Sequence, residues 1–291
     1  MTMQTIGVIG GGLMGSGIAH VAAVAGYDVI LSEVAMDRAE RGKASIANNL
    51  ARQVAKGILT DAEMVSSLDR IVLTVDTDRF ADAALVIEAA TENEALKTKI
   101  FADLCPKLAQ DSVLATNTSS ISITRLAAMT DRPDRFIGLH FFNPVPMMGL
   151  VEVIRGLATG DATMQIASEF VAAIGKTMIE AQDSPSFLVN RILCPLLNEA
   201  IFALGEGIGS VRDIDQGMKL GANHPMGPLT LADFVGLDTL LAIMRVMQEG
   251  FGDPKYRPAP LLVKYVEAGW YGRKSGRGFY DYTSGEPVPT R

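Results

Sequence analysis

Cysteine is nearly missing from this chain. Cys105 and Cys194 are the only two in 291 residues, far apart and each among apolar neighbours, which excludes a disulfide framework and a thiolate metal site and fits a reducing compartment. Histidine is scarce as well: His20, His140 and His224 have no metal-ligand spacing, so no metal is expected. No apolar run approaches the ~20 residues that a membrane-spanning helix needs. Basic charge is in deficit, 26 Lys and Arg against 33 Asp and Glu for a net charge of −7, so the chain lacks the basic stripe of a nucleic-acid surface and any phosphate must be held locally. The opening MTMQTIGVIGGG has neither the charged n-region nor the apolar h-region of a secretory signal. A cytoplasmic protein is expected, with no membrane or nucleic-acid partner.

What is present builds a core: 48% of the residues are hydrophobic, enough for one large domain or two ordinary ones. In the first half, short β-rich runs at 6–9, 29–31, 85–87, 113–115 and 136–139 alternate with helical patterns at 13–25, 36–57 and 94–108. That alternation predicts a mainly parallel α/β sheet with helices on both faces. The texture changes around 181–186, and helical periodicities follow at 187–204, 211–220, 228–249 and 260–269, separated by Gly and Pro clusters. We therefore expect a Rossmann-like domain over 1–185 and an all-α domain over 186–291, with Pro195 kinking or breaking the first helix of the latter and the tail after Tyr282 frayed.

Gly10, Gly12 and Gly15 form G-x-G-x-x-G between the first strand and a helix of small residues. The first glycine permits a tight turn, the second lets a pyrophosphate approach the backbone, and the third lets helix and strand pack closely; the helix N–H groups then hold the phosphates. A plain flexible turn is the alternative. The second strand ends at Glu33, where a carboxylate accepts hydrogen bonds from the adenosine ribose and repels a 2′-phosphate, favouring NAD over NADP.

Residues 138–154, GLHFFNPVPMMGLVEVI, place a histidine at the end of a strand before a Pro-rich turn. If the two arms pair about Pro146, His140 faces Glu152. A carboxylate there fixes the imidazole tautomer, and such a pair suits alcohol oxidation, His140 taking the hydroxyl proton as hydride leaves the same carbon. A structural histidine is the alternative. His20 reads as a helix-packing residue and His224 as part of a turn.

These residues carry a resemblance. IGVIGGGLMG at 6–15, VIEAA at 86–90, TNTSS at 116–120, HFFNP at 140–144, Asn190-Arg191, NHPMGP at 223–228 and GRKSGRGFY at 272–280 together resemble the L-3-hydroxyacyl-CoA dehydrogenase family over nearly the whole chain. The resemblance implies an NAD-dependent oxidoreductase moving hydride to or from C3 of a short-chain 3-hydroxyacyl-CoA, with the 3-hydroxybutyryl-CoA/acetoacetyl-CoA pair as the expected substrates. It implies catalytic roles for His140, Glu152, Ser119 and Asn190, and NAD contacts at Gly10, Gly12, Leu13, Met14, Gly15, Glu33, Glu92, Asn117 and Asn143. Substrate contacts fall on Ser119, Asn190 and, for the CoA phosphates, Arg52 and Lys56.

Each implied role has a plain alternative. Ser119 precedes a helical stretch and reads equally as a helix cap. Glu92 reads as a first-turn acid, and Arg52 with Lys56, spaced i, i+4, as a solvated helix face. Met147 and Met148 suit an acyl pocket or simple packing. The chain departs from the family at Gly149, where a Lys is common, and at Ser186, where a Gly is. The stretch from Leu229 to Met247 carries more apolar surface than a small helical domain readily hides, which points to a homodimer through this half. A sugar-acid dehydrogenase of the L-gulonate type and a non-catalytic dinucleotide-binding protein are the competing functions.

Overall fold

A computed structural model describes residues 5–291. The chain divides into two compact units, Met1–Ser184 and Pro185–Arg291.

The first unit alternates strand and helix: β1 (Thr5–Ile9), α1 (Leu13–Val24), β2 (Asp28–Ser32), α2 (Met36–Ala55), α3 (Asp61–Asp69), β3 (Ile71–Thr74), β4 (Leu85–Glu88), α4 (Glu94–Leu104), β5 (Val113–Thr116), α5 (Ile123–Ala127), β6 (Phe136–Phe141), β7 (Leu150–Arg155), α6 (Asp161–Ala173) and β8 (Thr177–Gln182). The strands form one eight-stranded sheet in the order β3-β2-β1-β4-β5-β6-β7-β8. Neighbours run parallel except β6 and β7, which are antiparallel. The order reverses between β1 and β4, and in a sheet of this kind ligands bind beyond the carboxyl ends of the strands at that reversal. Both faces are covered. Ile6 and Val8 join α1, α2 and α6 in one buried cluster, whereas a Cβ on Gly7 would come 2.6 Å from Phe80 on the opposite side, as period-two alternation requires.

The second unit is helical, with α7 (Val189–Gly205), α8 (Val211–Gly221), α9 (Pro228–Val235), α10 (Leu237–Phe251) and α11 (Pro260–Glu267) around their own apolar core. A small ladder of β9 (Tyr280–Asp281) and β10 (Val288–Pro289) closes the chain.

Four expectations need correction. The periodicity at 228–249 is two helices, divided at Gly236, whose φ of +98° breaks the helical run. Helix α7 continues through Pro195, with no break between Val189 and Gly205. The tail is tied down rather than frayed, Thr290 donating its backbone N–H to Phe279 O at 2.9 Å. Finally, the apolar side chains between Leu229 and Met247 are largely buried in the unit's own core, so that stretch gives no ground for a dimer.

Candidate active site

At the end of β1 the chain reverses through Gly10, at φ +97°, where a Cβ would stand 2.8 Å from Ala89 O beyond β4. A Cβ on Gly15 would fall 1.8 Å from Gly10 O, so loop and helix meet backbone to backbone. Gly12 differs, since a Cβ there meets nothing within 4 Å. It is the N-cap of α1 and no side chain caps the helix, so the first-turn N–H groups are not taken by a capping side chain, the arrangement that receives a phosphate. Leu13 is exposed and Met14 packs against the core. The loop is not a flexible turn, for Gly10 N donates to Ser32 O at 2.8 Å, Gly11 N to Glu33 Oε1 at 2.8 Å and Ser16 Oγ to Gly11 O at 2.7 Å. The other carboxylate oxygen of Glu33 accepts from Val34 N at 3.1 Å. An open backbone cradle beside an acid at the end of β2 fits a dinucleotide.

The antiparallel register of β6 and β7 sets His140 directly opposite Glu152. The Nδ1–H of His140 donates to Glu152 Oε2 at 2.6 Å, with the His140 side chain 5% exposed and that of Glu152 fully buried. Phe142 lies beside the imidazole, ring centroids 4.6 Å apart. Asn117, just after β5, ties β6 to β4 on its other side: its Oδ1 accepts from Phe141 N at 2.9 Å and its own N–H donates to Glu88 O at 2.7 Å.

Glu92 is not the first-turn acid of the helix that follows, a place taken by Glu94. It precedes α4, whose N-cap is Asn93, and its Oε1 accepts from Thr118 Oγ1 at 2.6 Å, Ser119 N at 2.8 Å and Ser120 N at 3.1 Å. The carboxylate thereby shapes the loop that carries Ser119. The cap of α5 is Ser122, which accepts from Arg125 N at 3.2 Å, so Ser119 is not committed to that role.

A buried ion pair beneath this loop escaped the sequence reading. Lys97 Nζ donates to both carboxylate oxygens of Glu88 at 2.8 Å with both side chains fully buried, and Thr116 Oγ1 and Ala90 N donate to the same carboxylate at 2.6 and 2.7 Å. Removing one partner of such a pair typically costs about 3–5 kcal/mol. The signal was an acid inside the apolar run 86–90, but its partner sits on another element. The pair holds the end of β4, the backbone against which Gly10 packs.

Most of the other expected residues are exposed. Arg52, in the last turn of α2, and Lys56, its C-cap, are exposed and form no ion pair among the described residues. Asn143 is exposed on the connection between β6 and β7, and Asn190 lies half-buried in the first turn of α7, in the other unit. Gly149 is exposed, with open space where a side chain would project. Burial pushes the thiols of Cys105 and Cys194 up, the latter to about 12, which leaves both poor nucleophiles.

The model of the 3-hydroxyacyl-CoA dehydrogenase NAD-binding domain matches residues 5–184, and that of the C-terminal domain of the same enzymes matches 187–282. The chain belongs to the 3-hydroxyacyl-CoA dehydrogenase family. The 3-hydroxybutyryl-CoA dehydrogenase of Bradyrhizobium diazoefficiens is 60% identical over 289 residues, covering 99% of each chain. The enzyme of that name from Clostridioides difficile is 46% identical, over 95% of this chain and 99% of its own. Among solved structures, that of (S)-3-hydroxybutyryl-CoA dehydrogenase from Ralstonia eutropha superposes with a TM-score of 0.95 at 50% identity, over 97% of this chain and all of the other. As a member of this dehydrogenase family the chain uses NAD, and its reaction is hydride transfer at C3 of a 3-hydroxyacyl-CoA.

Proposed function

We propose that the chain interconverts 3-hydroxybutyryl-CoA and acetoacetyl-CoA, with His140 as the acid–base residue. The observation that carries this is the 2.6 Å contact between His140 Nδ1 and the buried Glu152 carboxylate. The relatives reported above are named for an acyl-CoA of this length rather than for a sugar acid, which supports a CoA thioester over the gulonate-type reading. NAD, when bound, accepts or returns the hydride. With Nδ1 committed to Glu152, proton exchange with the substrate oxygen falls to Nε2. In oxidation His140 removes the hydroxyl proton and Glu152 stabilises the imidazolium; in reduction the imidazolium returns the proton. Ser119 and Asn190 hold the C3 oxygen and thioester carbonyl by hydrogen bonds that do not compete for that proton. Gly10, Gly12, Leu13, Met14, Gly15, Glu33, Glu92, Asn117 and Asn143 serve the cofactor, and Arg52 and Lys56 receive CoA phosphates.

On this reading residues 1–185 are the NAD-binding domain and 186–291 the substrate and dimerisation domain. The second unit exposes Ile192, Ile208 and Leu220 at 64%, 74% and 81%, apolar surface that a second copy would cover. No helix among the described residues is long and apolar enough to cross a membrane, which is compatible with a cytoplasmic enzyme.

The test is His140→Gln assayed with acetoacetyl-CoA and NADH. General acid–base catalysis is worth about 10²–10⁴-fold, so kcat is expected to fall by that factor with NADH affinity unchanged. Near-wild-type turnover in a folded His140→Gln protein would overturn the assignment.

A further inference from the structure

The connection between His140 and Glu152 is poor in hydrogen-bond donors of its own, since Pro144 and Pro146 contribute no N–H. Its one internal turn uses Met147 N and Met148 N, both donating to Pro144 O at 2.9 and 3.0 Å. The remaining carbonyls depend on donors from outside. Lys176 supplies them to two. Its Nζ donates to Val145 O and to Met148 O, each at 2.6 Å, while the next residue, Thr177, donates its N–H to Gly149 O at 2.7 Å. Lys176 is half-buried, and among the described residues it forms no ion pair; its charge is met by carbonyl dipoles alone. Burial accordingly pushes the ammonium below its ordinary value.

The clamped loop also touches the nucleotide helix. Val145 is 2% exposed within the core of the first unit, and a Cβ on Gly17 of α1 would come 2.7 Å from Val145 Cβ. Only a glycine lets the loop lie this close to the helix that follows the dinucleotide loop. Two contacts thus fix the connection, an ammonium on one side and α1 on the other. The arm bearing His140 enters this loop and the arm bearing Glu152 leaves it.

We propose that Lys176 is a positioning residue for hydride transfer: by clamping the Val145 and Met148 carbonyls it fixes the β6–β7 connection against α1, and with it the placement of the His140–Glu152 pair relative to the cofactor. The inference rests on the acid–base reading of His140 given above. It assigns Lys176 no contact with substrate or with NAD. Its effect is on the chemical step, while substrate affinity and cofactor affinity are set elsewhere.

The experiment compares wild type, Lys176→Met and Lys176→Arg with acetoacetyl-CoA and NADH, alongside NADH binding by fluorescence and hydrogen exchange of the peptide spanning 142–151. Lys176→Met is expected to lower kcat at least tenfold, with KM for acetoacetyl-CoA within threefold and NADH affinity within twofold of wild type. Amide exchange at Met147 and Met148 is expected to quicken. Lys176→Arg, which still presents two donors, is expected to recover kcat to within threefold of wild type. Should the methionine variant not fold, Lys176→Gln, with a neutral donor, takes its place and is expected to lose at least threefold. A kcat within twofold of wild type in the methionine variant, or in the glutamine variant replacing it, overturns the proposal. So does an arginine variant as slow as the methionine one despite normal folding. Absence of wild-type turnover on acetoacetyl-CoA, or a His140→Gln protein that turns over normally, would instead defeat the reading beneath it.

Discussion

Ser186 is the residue whose conformation and chemistry agree least. It sits at φ +65°, is fully buried, and its Oγ has no hydrogen-bond partner among the described residues. A non-glycine residue in the left-handed region costs about 1–2 kcal/mol, and a buried hydroxyl without a partner about 1–3 kcal/mol. Glycine removes both costs and adds back about 0.5–1 kcal/mol of unfolded-state entropy. Ser186→Gly is therefore expected to stabilise the protein by about 1–4 kcal/mol and raise Tm by about 2–7 °C; an unchanged or lower Tm in calorimetry would count against the argument. The position was visible in the sequence as a departure from the family resemblance. Its positive φ was not, because backbone torsion at a single non-glycine position leaves no pattern.

Helices α1 and α2 meet through His20, whose Nε2 lies 3.0 Å from Gln53 Oε1 while the buried Nδ1 has no partner among the described residues. Burial, the largest cause, holds its pKa below 6.5. The unfolded chain then takes up a proton at higher pH than the folded one, so this group's contribution is complete above pH 6.5 and is lost as pH falls through the lower folded value. Wild type should lose more Tm than His20→Gln between about pH 7.5 and 5.5; parallel melting curves would show that His20 does not titrate in this way. At this scale the sequence was legible where periodicity ran long. The β1–α1–β2 unit and α2 followed from pattern. Strand β3 did not, being four residues at a sheet edge with Val72 half exposed. Strand β8 failed for the same reason, its Glu180 and Gln182 both exposed at the other edge. Helix α3 had a readable start, since Thr60 and Glu63 form a capping box, but its apolar face is too thin to show a helical period. The hairpin pairing of His140 with Glu152 was legible because two prolines mark the turn; the Lys97–Glu88 pair was not, because nothing local links a strand-end acid to a lysine on the following helix.

For the whole molecule, a net charge of −7 sets an unfavourable field for a polyanionic CoA ester. Arg52 and Lys56, exposed and outside any ion pair among the described residues, are the local exception that the proposed substrate requires. Replacing both with alanine is expected to raise KM for acetoacetyl-CoA about five- to tenfold at low ionic strength, an effect that shrinks as salt screens exposed charge, with kcat preserved. Steady-state kinetics at two salt concentrations decide it, and an unchanged KM at low salt would return these residues to the role of solvated helix face. The division of the chain near residue 185 was readable as a change from strand–helix alternation to helix alone. The ladder of β9 and β10 was not, at two residues per strand.

The one antiparallel junction in the sheet, between β6 and β7, also constrains how the chain can change in length. Side chains alternate faces along a strand, so a single residue inserted into the register ahead of His140 or Glu152 would turn that side chain to the opposite side of the sheet. Insertions of two leave the face unchanged. Drift by ones is thus barred from the arms themselves, and new substrate-facing loops must be grafted elsewhere on the scaffold.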